Sequence, residues 1–309
     1  MSDATPPPAG RARRAARWAV VVLVVLVLVA GPVGLHFAQI RHDRLPFDVA
    51  ARFPDERPLV GGEVFATVSA EVIEHELRSP AGWRPNDFIL WGPRLWADNN
   101  ANRQLGIVQA LRESVRVLKD HLTKVSSDQY DQNLVLADTA LRNDALKFWF
   151  PAAEGRFAEG ARRLRDYVDG LGTSPPRSRP ITRRNVELIR LFQTWSDLLG
   201  DAHGSLYRSD VGFFETDDVF YHAQGFAHVI GHLMRALGCE YHPELQARPI
   251  LQTLVDEVTA ALEKAAMLKP LIVLDGSPGG LFANHRRNLD AYVTEARQKM
   301  YSIREELEK

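Results

Sequence analysis

From Trp18 to Ile40 the chain reads WAVVVLVVLVLVAGPVGLHFAQI, 23 residues without an acid, a lysine or an arginine. A helix needs about 20 apolar residues to cross the hydrocarbon core of a bilayer, so this segment is long enough to span one. Trp18, Leu23, Leu26 and Leu28 are its anchor residues, and Pro32 and Gly34 are placed to kink or fray its outer end. Arg11, Arg13, Arg14 and Arg17 precede the run and fewer basic residues follow it directly. That bias keeps an N-terminus in the cytoplasm and exports the remainder. A cleaved signal peptide has the same order of basic, apolar and small residues, here around Ala30 and Gly31. However, the run exceeds the usual length of such a region, and Leu28 stands where a small residue belongs. An uncleaved anchor over 18–40, behind a basic tail over 1–17, is the expected form.

Residues 41–60, rich in proline and charge and without sustained periodicity, read as a tether. Beyond it, apolar residues recur at three and four positions, the spacing that draws a stripe along an α-helix. Val108, Leu111, Val115, Leu118 and Leu122 do so, as do Phe157, Ala161, Leu164, Val168 and Leu171. Leu251, Leu254, Val258, Ala261 and Leu268 form a third stripe, and Val293, Ala296, Met300, Ile303 and Leu307 a fourth. No alternating strand pattern of comparable length competes. The fold class is all-α, a multi-helix bundle of roughly eight helices behind the anchor. Asp98 stands where a side chain caps the helix that follows, and Pro151, GTSPPRSRP and CEYHP mark helix ends. Gly172–Pro180 divides a first helical half, 61–171, from a second, 181–309, as two domains or as one with a long loop. Periodicity does not say whose face meets each stripe, so pairing of two copies is compatible with it.

YHAQGFAHVIGHLMRALGCEYH, Tyr221–His242, holds four of the ten histidines and the single cysteine. At 100° per residue, Val219, Ala223, Phe226, Ile230, Leu233 and Leu237 share one stripe, with His228 and His232 opposite, on an expected polar and partly exposed face. Two histidines four apart clip a metal in His-Glu-x-x-His zinc peptidases, but Val229 occupies the place of the glutamate base. A third ligand has to come from another helix. The sequence implies no cofactor. DGSPGG, 275–280, lacks nucleophile-elbow and phosphate-loop spacing and reads as a turn. Asp217 and Asp218 suit the first turn of a helix, and no base is fixed beside Cys239. A net charge of −1 supplies no broad positive field for nucleic acid. The least helical stretch, GWRPNDFILWGPRLWADNNANRQ, gathers Trp83, Trp91 and Trp96 beside Asn99, Asn100 and Asn102. It is a candidate recognition loop, since rings and amides stack on and hydrogen-bond sugars or peptides. The competing role for these rings is to cover bundle ends.

WRPNDFILWGPRLWADNNANRQLGI, TDDVFYHAQGFAHVI and ANHRRNLDAYVTEARQKMYSIREEL resemble the uncharacterised bacterial family known as domain of unknown function 2333. The resemblance covers nearly the whole chain. It implies a single-anchor membrane protein of the bacterial envelope with an α-helical fold, and brings no activity or active-site residues. Together with the arginine bias, the expected place is the inner membrane with the helical body in the periplasm. The expected function is a membrane-anchored interaction, scaffold or binding module touching the lipid bilayer through 18–40 and an envelope protein or glycan beyond it. The alternative is a metal-dependent envelope hydrolase using His228 and His232.

Overall fold

The computed structural model describes residues 9–43, 49–53, 59–80, 82–87, 98–123, 129–277 and 281–309. Helix α1 runs Ala9–Asp43, α2 Val49–Arg52, α3 Glu63–Leu77 and α4 Asn99–Val117, prolonged by a π-helical turn, Leu118–Leu122. α5 (Gln132–Leu141), α6 (Ala153–Leu171) and α7 (Asn185–Tyr207) follow. After a 3-10 turn, Phe213–Glu215, come α8 (Thr216–Glu240), the short α9 (His242–Gln246), α10 (Pro249–Met267) and α11 (His285–Glu308). The described residues hold one isolated bridge, Asp275–Asn284, and no strand. Among the described residues, eight helices of ten or more residues stand behind α1, as the periodicity predicts. α1 is long and apolar enough to cross a membrane. Trp18, Leu23, Leu26 and Leu28 lie exposed along it, with Arg13, Arg14 and Arg17 exposed before them.

The four stripes are the inward faces of α4, α6, α10 and α11. Every residue named in them is buried or packed against the core. α8 is the central element, packed against α3, α4, α7, α10 and α11, so it unites helices from before and after the 172–180 segment. Its approach to α4 is set by two glycines. A Cβ on Gly106 would stand 2.1 Å from the His222 carbonyl oxygen, and one on Gly225 would stand 2.3 Å from that of Arg103. Two backbones that meet this closely leave no room for a methyl group on either side.

One end of the bundle gathers the C-termini of α3, α7 and α10 with the N-termini of α4, α8 and α11. Tyr221 donates to the Pro270 carbonyl, Asn99 Nδ2 to that of Leu271 (3.3 Å) and Arg286 Nε to that of Leu206 (3.1 Å). α1 arrives at this end, where Asn100 Nδ2 donates to Gln39 Oε1 (3.4 Å). At the opposite end the buried carboxylate of Glu240, on the last turn of α8, accepts from Gly62 N (2.8 Å), Val64 N (2.9 Å) and Phe65 N (3.1 Å). Free amide donors at the start of α3 are thereby satisfied by a residue far along the chain. Gly62 adopts φ 97°, a left-handed conformation that glycine takes without strain.

Within the stretch read as a tether, 41–43 continue α1 and Val49 and Phe53 are buried in the core. Asp98 does precede α4, but its side chain makes no capping bond to that helix.

Candidate functional site

Where α1 enters, a cavity of about 560 Å³ opens between four helices. Ile40 and Asp43 come from α1, Val72 and His75 from α3, His228, Gly231 and His232 from α8, and Leu262, Ala266 and Met267 from α10, with Lys269 just beyond. Its walls are largely apolar, and its polar groups are three imidazoles, a carboxylate and an ammonium, besides the paired Arg235 and Glu263 at its edge.

A buried charge network forms one wall. Arg103 of α4 is almost wholly inside the protein. Its Nη1 donates to both oxygens of Glu76 (2.9 and 3.1 Å), its Nε to Gln224 Oε1 (3.1 Å), and its Nη2 lies 3.4 Å from Asp43 Oδ2. The Lys269 ammonium also donates to Asp43. Two carboxylates thus meet two cations, which makes the burial of four charges tolerable. Burial pushes the Asp43 carboxyl up, but Arg103 and then Lys269 outweigh it and hold the group below its usual range. Burial, followed by the charge of Arg103, pulls Lys269 down.

The histidines are neutral. Burial lowers His75 to about 4, with His42 as the next cause. Their rings stack with centroids 3.8 Å apart, and His42 Nε2 lies 2.9 Å from the His75 carbonyl oxygen. Burial and then Arg235 lower His232 to about 3, while burial and then Arg103 bring His228 well below its ordinary value. These two rings meet edge to face, 4.6 Å between centroids. A neutral imidazole offers one donor and one acceptor, so the three histidines add uncharged hydrogen-bonding groups beside the paired Asp43 and Lys269.

His228 and His232 are both partly exposed, as the helical wheel has them. The wheel leaves open what that side of α8 meets, and here it looks into the cavity between α3, α10 and the end of α1. Among the described residues no group of three or more histidine, cysteine, aspartate or glutamate side chains is arranged to hold a metal ion. The hydrolase alternative has no ligand set there.

A second cluster joins α4 to α8. Asp98 shares a hydrogen bond with Asp218, which also accepts from Asn102 Nδ2 (2.6 Å). Burial and then Asp218 raise Asp98 to about 8, and burial and then Asp217 raise Asp218 to about 6. The side chain expected to cap α4 instead shares a proton with the first turn of α8, as paired carboxyls do when both cannot ionise.

Trp83 is buried and covers a bundle end, its Nε1 donating to the Ala145 carbonyl (2.9 Å) and its ring packing on Phe157 at 4.9 Å. Trp91 and Trp96 lie outside the described residues. Asn99, Asn100 and Asn102 donate from their amide nitrogens to Leu271, Gln39 and Asp218, neighbouring elements of the fold.

Five residues that sequence reasoning does not single out therefore define this site: Asp43, His75, Glu76, Arg103 and Lys269. Two of them leave a signal. Glu76 falls three and four positions after Ile73 and Val72, and Arg103 four before Ile107, so both are charges on apolar stripes.

The family described as "Uncharacterized protein conserved in bacteria (DUF2333)" matches residues 11–209 and 201–309. The chain belongs to this family. No curated protein and no solved structure matches it. Membership agrees with the resemblance carried by the tryptophan-rich, histidine-rich and C-terminal segments, and it brings no assigned chemistry. The DUF2333 site is therefore defined by geometry alone, as a cavity built around neutral histidines and balanced buried charges.

Acid should expose the neutral histidines. His232 titrates near 6.5 when unfolded and near 3 when folded, so below pH 6.5 the unfolded state binds a proton that the folded state refuses. Its contribution to stability is lost as pH falls from 6.5 toward 3. Asp98 and Glu240, raised to about 8 and about 7, act with the opposite sign, so the effect is read by difference. Between pH 7.5 and pH 5, His232→Gln should lose about 1–2 kcal/mol less unfolding free energy than the unmodified chain in denaturant titrations. Equal losses would contradict a buried neutral His232.

Proposed function

We propose that this protein is a membrane-anchored binding module of the bacterial envelope. α1 crosses the inner membrane with its N-terminus in the cytoplasm, the helical body stands in the periplasm, and the cavity at their junction receives a small amphiphilic ligand. The observation that carries this reading is the cavity: about 560 Å³, walled by Ile40, Val72, Leu262 and Met267 and provided with His75, His228 and His232. A concave apolar site with a few convergent polar groups is the usual form of a ligand pocket. Ile40 and Asp43 are the last turn of the anchor, so a molecule bound there lies beside the bilayer surface. The export of the body is supported by Arg11, Arg13, Arg14 and Arg17 preceding the span. A binding role needs no catalytic group, and the neutral imidazoles suit hydrogen bonding to a ligand head group.

Native mass spectrometry of the full chain, extracted in a mild detergent, should show a bound small molecule. Gly231→Leu, which fills the cavity from α8, should lack it while retaining its helical circular dichroism. Identical spectra for both proteins would remove the binding reading. A phosphatase reporter active only outside the cytoplasm, fused after Lys309, should be active in a bacterial host. An inactive but expressed fusion would reverse the orientation.

A further inference from the structure

We propose that the anchor-side end of the helical body is a second, non-spanning membrane contact. Two connections at that end insert aromatic and aliphatic side chains into the outer headgroup region. This rests on the reading of α1 as a membrane span and adds a surface that the reading does not require.

The first connection joins α5 to α6 and carries Phe148, Trp149 (78% exposed) and Phe150 (97% exposed). The second joins α10 to α11 and carries Ile272 (61% exposed), Leu281 and Phe282 (70% exposed). Each is held at the anchor side of the bundle. The α5–α6 connection is tied to the segment after α3, because Ala145 O accepts from Trp83 Nε1 (2.9 Å) and Lys147 O from Asn86 Nδ2 (3.3 Å). The α10–α11 connection is tied to the starts of α8 and α4 through Pro270 and Leu271, and to α1 through the bond from Lys269 to Asp43. Large apolar side chains at the far end are single residues of separate elements, such as Val60, Val186 and Ile250, an ordinary scatter for a protein surface.

Depth identifies the occupant. α1 is fully exposed from Arg13 to Ala30, and other parts of the protein begin to cover it at Gly31. The apolar run continues to Ile40, so the body overlaps its last ten residues, about 15 Å at the rise of an α-helix. A bilayer that solvates the run to its end must reach the body at that level. Aromatic and aliphatic side chains presented there meet headgroups and the outermost acyl carbons, where tryptophan and phenylalanine are favourably placed. In water, Trp149, Phe150, Ile272, Leu281 and Phe282 would each leave more than half of their surface exposed.

The test uses the full chain with Cys239→Ser, reconstituted in phosphatidylethanolamine and phosphatidylglycerol vesicles. Single cysteines carry an environment-sensitive nitrobenzoxadiazole label at Phe150→Cys, Phe282→Cys, Ile250→Cys or Val25→Cys. Doxyl-labelled phosphatidylcholine is the quencher. The proposal predicts that labels at 150, 282 and 25 emit at blue-shifted wavelengths and lose most of their fluorescence to doxyl lipid, while the label at 250 does neither. If 25 is quenched but 150 and 282 behave like 250, the second contact is overturned and the anchor stands. If 25 is not quenched, the anchor reading fails and the proposal with it. Blue-shifted labels at 150 and 282 that escape quenching would place a protein, a second copy of this chain included, on the surface and overturn the lipid assignment.

Discussion

Arg103 fixes how α1 meets the rest of the molecule. A buried guanidinium is tolerated only when opposite charge and hydrogen-bond acceptors surround it, and here they come from three helices other than its own: Asp43 of α1, Glu76 of α3 and Gln224 of α8. Lys269 closes the set by donating to Asp43 from the end of α10. A buried ion network adds little net stability over an apolar core of the same shape, but removing one member leaves a charge stranded, which typically costs about 3–5 kcal/mol. Its effect is therefore one of specificity, because only one placement of the end of α1 satisfies all four groups. The contact that makes α1 more than an unattached leader is electrostatic, and it sits where the apolar run gives way to polar chain.

The cavity follows from that arrangement. α1 ends against α3, α8 and α10 without filling the space between them, and Gly231 contributes no side chain to the α8 wall. The polar groups left there are imidazoles kept neutral by burial and by the nearby positive charge. The carboxyl pair Asp98 and Asp218 shows the same principle with the sign reversed, since burial and mutual repulsion retain a proton there. Groups that would ionise freely in water are held uncharged at both places, so protonation and packing at the anchor end are coupled.

The helices were legible because each buries one stripe. Val293, Ala296, Met300, Ile303 and Leu307 lie on a single face of α11, and all five are buried. That α1 is a helix long and apolar enough to cross a membrane was legible for the opposite reason, an apolar surface all round. His228 and His232 are partly exposed, as the wheel has them, but a helical wheel has no means of counting neighbours and could not show that their face looks into a cavity. Glu76 and Arg103 could have been found as charges on apolar stripes that need a partner. Asp43 and Lys269 could not: they stand 226 residues apart, in segments that look like polar linkers, and only the fold brings the end of α1 to the segment after α10. Likewise, the exposed rings at 148–150 become informative only once they are known to share an end with the anchor.

The central claim is that anchor and body form one rigid unit, locked through Asp43, and it can be tested by a distance. Spin labels at Phe37, exposed on α1, and at Ile250, exposed at the far end of the body, would be measured by double electron–electron resonance on the full chain in lipid nanodiscs, with Cys239 replaced by serine. The account predicts one narrow distance distribution, broadened when Asp43→Asn removes the partner of Arg103 and Lys269. A broad distribution in the chain with Asp43 intact, unchanged by that substitution, would show a body hanging from its anchor on a flexible tether and would contradict the account.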